Sequence, residues 1–157
     1  MNTRYDTKKL AACGEDVVIH ADVEIKRAHK VRIGSHVAID KGFYCTVGAD
    51  IGDYVHIGPY VTAIGGEDGH LTLNHFATIA AGSRIVTVGD EHTGHGLVGP
   101  TIPPEFRDKL IVGPVILEMF ANVGTNAVIL PGITLSEGCV IAACSLVAQS
   151  TQPWTVY

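Results

Sequence analysis

Every sixth residue of this chain repeats a character that neither an amphipathic helix nor an alternating strand can satisfy. Stepping by six from Ile111 gives Leu117, Val123, Ile129, Leu135, Ile141 and Val147, all aliphatic. Four places further on in each unit stand Val115, Ala121, Ala127, Ile133, Cys139 and Ser145, all small or apolar. Upstream, the same walk passes Ile33, Ile39, Cys45, Ile51, Ile57 and Ala63, with Val37, Phe43, Ala49, Val55 and Val61 at the fourth place. After a short break the phase resumes at Leu73, Ile79 and Ile85. A period of six predicts a short strand plus a corner, wound repeatedly into a coil. The aliphatic residue then points inward and stacks on its counterparts, and Gly34, Gly52, Gly58 and Gly124 suit the corners.

The repeat is interrupted twice. The stretch from Ile64 to Thr72, IGGEDGHLT, reads as a polar turn bulging from one corner. The second break, from Val86 to Leu110, carries four Gly and three Pro and destroys the period. A loop of that length inside a compact repeat is usually functional or disordered. His92, His95, Asp90, Glu91 and the aromatic Phe106 favour function. The organisation expected is a cap over residues 1–15, covering strand edges, followed by one coiled domain over 16–157 with a loop at 86–110.

Composition excludes several classes. Only 17% of residues are charged and 46% are hydrophobic, which argues for a folded chain. The net charge of −5 and scattered Lys and Arg argue against duplex nucleic acid as a partner. Cys13, Cys45, Cys139 and Cys144 form no C-x-x-C pair and read as reduced packing residues. The amino terminus, MNTRYDTKKL, has no apolar stretch, and no run is long enough to span a membrane. A soluble, cytoplasmic protein is expected.

Hexads such as Ile33-Gly34-Ser35-His36-Val37-Ala38 and Ile57-Gly58-Pro59-Tyr60-Val61-Thr62 resemble those of the hexapeptide-repeat acyltransferases. The resemblance covers about residues 15–157 and implies an all-β, left-handed parallel β-helix, an exception to the usual right-handed crossover. Gly99-Pro100-Thr101-Ile102-Pro103, Val115-Ile116-Leu117-Glu118, Val128 to Thr134 and Ser145-Leu146-Val147 with Pro153-Trp154 are similar to bacterial enzymes of surface-sugar biosynthesis. Within that set, enzymes acylating amino sugars carried on a nucleotide are nearest in pattern; the wider set includes maltose and galactoside acetyltransferases. The chain departs from the family's Ile-Gly-Ala-Gly-Ser at Ile141-Ala142-Ala143-Cys144-Ser145.

The resemblance implies attack of an amine or hydroxyl on an acyl-CoA thioester, with acetyl-CoA or another acyl-CoA as co-substrate and no metal. A general base must accept the proton, and His titrates near working pH. Relatives place a His early in the loop, which points first to His92 and then to His95, with Asp90 or Glu91 orienting the imidazole. Coenzyme A is expected against the late coils, near the backbone of Ala127, Ala142, Ala143 and Ser145, with Trp154 as a lid or adenine neighbour. The family also implies a homotrimer with sites between subunits and a nucleotide-sugar acceptor.

Two other readings compete. A γ-type carbonic anhydrase uses the same coil and three His ligands, and His70 and His75 have its His-x4-His spacing, with His36 upstream. Phase weighs against it: His36 lies three past Ile33, His75 two past Leu73, and His70 falls inside the interruption. A non-catalytic β-helix scaffold is the second alternative, and it gives no reason for a His-bearing loop.

Overall fold

The computed structural model describes residues 4–157. Its coil strands sort into three six-stranded parallel sheets, each taking one short strand from every coil. The first face stacks Ala12–Cys13, Val31–Ile33, Gly48–Ile51, His70–Leu73, Val115–Leu117 and Thr134–Leu135 in that order. The second runs from Val18–Ile19 to Val140–Ile141, and the third from Glu24–Ile25 to Leu146–Val147. Three hexads make one coil, so Ile33 pairs with Ile51 and Leu117 with Leu135. The chain is an all-β, left-handed parallel β-helix. No helix among the described residues is long and apolar enough to cross a membrane.

Each two-residue strand sends one side chain in and one out, as pleating requires. On the second face Ile57, Ile79, Val123 and Ile141 stack inward with no exposure, while His56, Thr78, Asn122 and Val140 face out. The corner from first to second face is turned by residues in left-handed backbone: Asp16, His36, Tyr54, Phe76, Phe120 and Trp154, all with φ between 52° and 64°. That conformation costs a non-glycine residue about 1–2 kcal/mol. Stacking offsets part of it: His36 lies 4.6 Å from Tyr54, Tyr54 5.1 Å from Phe76 and Phe76 5.1 Å from Phe120. Trp154 reaches over Gly138 to within 6.1 Å of Phe120, and a Cβ at Gly138 (φ 65°) would collide with its indole.

All the surplus chain leaves at one corner, from third to first face. The steps Ile25 to Ile33, Ala63 to Leu73 and Ile85 to Leu117 exceed a hexad, while the steps between the other faces keep it. The first two surpluses form 3-10 turns at Ala28–Lys30 and Gly66–Asp68. Glu67 ties them together by accepting from Arg27 Nε at 3.0 Å and from Lys30. Those hydrogen bonds, Lys30 first and Arg27 second, hold its carboxyl down at about 2.

The structure moves some boundaries. Ile111 continues the six-residue count but is 49% exposed, because Leu110–Val112 pairs antiparallel with Val88–Asp90 as the stem of the loop. The loop therefore closes at Gly113, whose N–H reaches Thr87 O at 2.9 Å. Ala12–Cys13 already pairs with the next coil, so the coil begins inside the predicted cap, whose residues 1–3 lie outside the described residues. Cys45 and Cys139 are buried, but Cys13 and Cys144 are exposed, Cys144 turning a corner at φ 61°. Beyond Val147 a seventh coil starts, with Thr151 N–H on Thr134 O and Tyr157 N–H on Val140 O.

Candidate active site

Above its stem the long loop is knitted across its two arms. Glu91 N–H donates to Lys109 O at 2.7 Å, Leu97 N–H to Phe106 O at 2.8 Å and Asp108 N–H to Leu97 O at 2.9 Å. Gly96 allows this closure, since a Cβ there would stand 2.5 Å from the Asp108 amide nitrogen.

Two consecutive residues of the returning arm, Arg107 and Asp108, then grip the outgoing arm. Arg107 Nη2 donates to Asp90 Oδ1 at 3.0 Å, with the two side chains only 21% and 16% exposed. Its Nε is buried without a hydrogen-bond partner among the described residues. Asp108, 5% exposed, accepts from Lys109 N–H at 2.9 Å, Thr93 N–H at 3.3 Å and the Thr93 hydroxyl at 3.4 Å. Burial works to raise the Asp108 pKa, but these hydrogen bonds and one from the His95 backbone together hold it below the usual carboxylate range. Thr93 Oγ1 also lies 2.9 Å from His95 Nδ1. Between the stem and the neighbouring insertion opens a cavity of about 670 Å³, walled by Tyr44, Ile64, Asp68, Val88, Asp90 and Arg107.

The sequence candidates separate in this geometry. His92 and His95 both lie exposed on the outgoing arm. Of these two, only His95 makes a side-chain hydrogen bond among the described residues. Asp90, expected to orient an imidazole, is taken instead by Arg107, and Glu91 is half-buried beside it. Arg107 and Asp108 escaped the sequence reading; two adjacent opposite charges in a polar loop give no spacing signal.

At the late coils, Ala127 is fully buried with its N–H on Gly124 O and its C=O accepting from Arg84, so it has no surface to offer a cofactor. Ala142 is exposed, but its N–H is used by Tyr157 O. Ala143 is exposed and Ser145 half-buried. Trp154 ends the aromatic column rather than standing apart as a lid. The three His of the metal alternative each face their own carboxylate: His36 with Asp16, His70 with Asp50 and His75 with Asp53. Among the described residues no three His, Cys, Asp or Glu stand close enough together to hold a metal ion.

No protein-family signature matches the chain. Over 148 residues it is 29% identical to the dTDP-4-amino-4,6-dideoxy-D-glucose acyltransferase of Escherichia coli, covering 91% of this chain and 74% of that enzyme. Its structure matches, at a TM-score of 0.92 and 30% identity, a serine-to-alanine variant of AntD, an N-acyltransferase from Bacillus cereus in complex with dTDP-4-amino-4,6-dideoxyglucose and coenzyme A. That match covers 100% of this chain and 86% of AntD. A hexapeptide-repeat acetyltransferase from Vibrio cholerae shares the fold at a TM-score of 0.59 and 20% identity, over 95% of this chain and 69% of that one.

Proposed function

We infer that this chain, which belongs to the hexapeptide-repeat acyltransferases, transfers an acyl group from coenzyme A to the amino group of a sugar carried on a nucleotide. One observation carries the reading: the whole chain matches an N-acyltransferase whose structure holds both a dTDP-linked amino sugar and coenzyme A. The late coils suit such a co-substrate, because small residues at Ala143 and Ser145 let a slender chain approach the backbone. The acyl-CoA supplies an activated thioester carbonyl. The loop supplies the base: His92 or His95 takes a proton from the attacking amine as the C–N bond forms and the C–S bond breaks. Arg107 holds Asp90 in the wall of the cavity beside that loop, where an acceptor sugar would fit. The biological setting is surface-polysaccharide biosynthesis in the cytoplasm, by a homotrimer with sites between subunits. Exposed apolar residues on the coil faces, such as Val18 and Leu146, support such assembly.

The test is incubation with acetyl-CoA and dTDP-4-amino-4,6-dideoxyglucose, following thiol release and product mass. The expected product is an N-acetyl amide. Acetylation confined to sugar hydroxyls, or no transfer to any sugar, would overturn the proposal. Light scattering of the same sample reports the trimer.

A further inference from the structure

We propose that Thr93 and Asp108 are positioning residues that hold His95, in preference to His92, as the general base of the transfer. The inference rests on acyl transfer to an amine as read above. A neutral imidazole acts as a base only through the ring nitrogen that lacks a proton, and the partner of the other nitrogen decides which one that is. His95 Nδ1 faces Thr93 Oγ1 at 2.9 Å. The Thr93 hydroxyl has a single proton to give and also lies 3.4 Å from Asp108 Oδ2. Asp108 is a nearly buried carboxylate, held ionised by the N–H groups of Lys109 and Thr93, and an ionised carboxylate can only accept. The hydroxyl proton therefore goes to Asp108, and the oxygen lone pair is left for His95 Nδ1–H. Nε2 then carries the free lone pair. When Nε2 takes the amine proton, the buried carboxylate two hydrogen bonds away stabilises the imidazolium, which then gives that proton to the departing thiolate as coenzyme A leaves. His92 has no such partner among the described residues, and none of them selects its tautomer.

Two measurements on the intact protein test this. The first is the nitrogen-15 spectrum of the His side chains. His95 is expected as the Nδ1–H tautomer in the wild type and to lose that bias in Thr93→Val. The second is kinetics with acetyl-CoA and dTDP-4-amino-4,6-dideoxyglucose. Thr93→Val should lower kcat by about tenfold or more with KM little changed, and Thr93→Ser should restore most of it. His95→Gln should lose about 100-fold or more in kcat/KM, at least about tenfold beyond the loss in His92→Gln. An Nε2–H His95 in the wild type, or full turnover by Thr93→Val, overturns the relay while leaving acyl transfer standing. The expected tautomer in a protein that acylates no amine overturns the acyl-transfer reading and the base role with it.

Discussion

A single hydrogen atom at Gly96 decides whether the two arms of the loop can meet. Gly96→Ala would press a methyl group against the Arg107–Asp108 peptide, and a shift of about 1 Å at a reacting group can cost about 100-fold in rate. Acyl transfer should fall by about tenfold or more in that variant, while the melting temperature of the coil moves little. Loss of the coil's own cooperativity would show that the loop is structural. A second residue-level expectation concerns acid. The Glu67 carboxyl sits at about 2 against an ordinary 4.5, so its tie to Lys30 and Arg27 is fully present above about pH 4.5 and is lost as pH falls toward 2. Amide exchange in the turn around Gly66–Asp68 should quicken over that window, beyond the intrinsic pH effect, and Glu67→Gln should remove the dependence. Neither contact was legible in the sequence. Both join residues on different arms or different coils, and no period links Glu67 to Lys30 or Gly96 to Asp108.

The hexad itself was legible because burial repeats with it. Ile33, Ile57, Ile79, Leu117, Ile129 and Ile141 are all core, and each was placed there by counting alone. Ile79→Ala should therefore cost about 2–5 kcal/mol in urea unfolding, the usual range for an emptied core position. Ile111 marks where counting stops working. It keeps the phase by coincidence, since the loop's length returns the chain to register while its stem holds that side chain in solvent. The corner column of Tyr54, Phe76 and Phe120 escaped the sequence reading: each lies three past an aliphatic position, but a count says neither that they stack nor that their φ is positive. That backbone yields a sharp expectation: Phe76→Gly should be no less stable than Phe76→Ala. At φ 64° the usual penalty for glycine is reversed, and both variants lose the same stacking. A clear deficit for Phe76→Gly in urea melts would mean that the corner is unstrained.

On the scale of the molecule, coil and loop are separable. Thr87 O and Gly113 N stand 2.9 Å apart at the foot of the stem, so joining Thr87 directly to Gly113 asks little of the coil. A protein lacking residues 88–112 should keep its far-UV circular dichroism and a cooperative melt, and should lose acyl transfer altogether. Retained transfer would put the chemistry elsewhere on the coil. Arg27, Thr46, Glu67 and the stem all meet at the corner where surplus residues leave, so the cavity is built from three successive coils. The other two corners keep six residues in each of the paired coils. Change of length and change of sequence are thereby uncoupled in this chain. Along one edge, segments can be gained, lost or exchanged between generations without a frameshift in the stacking of the rest, so that edge is where a new acceptor preference can arise at least risk to folding.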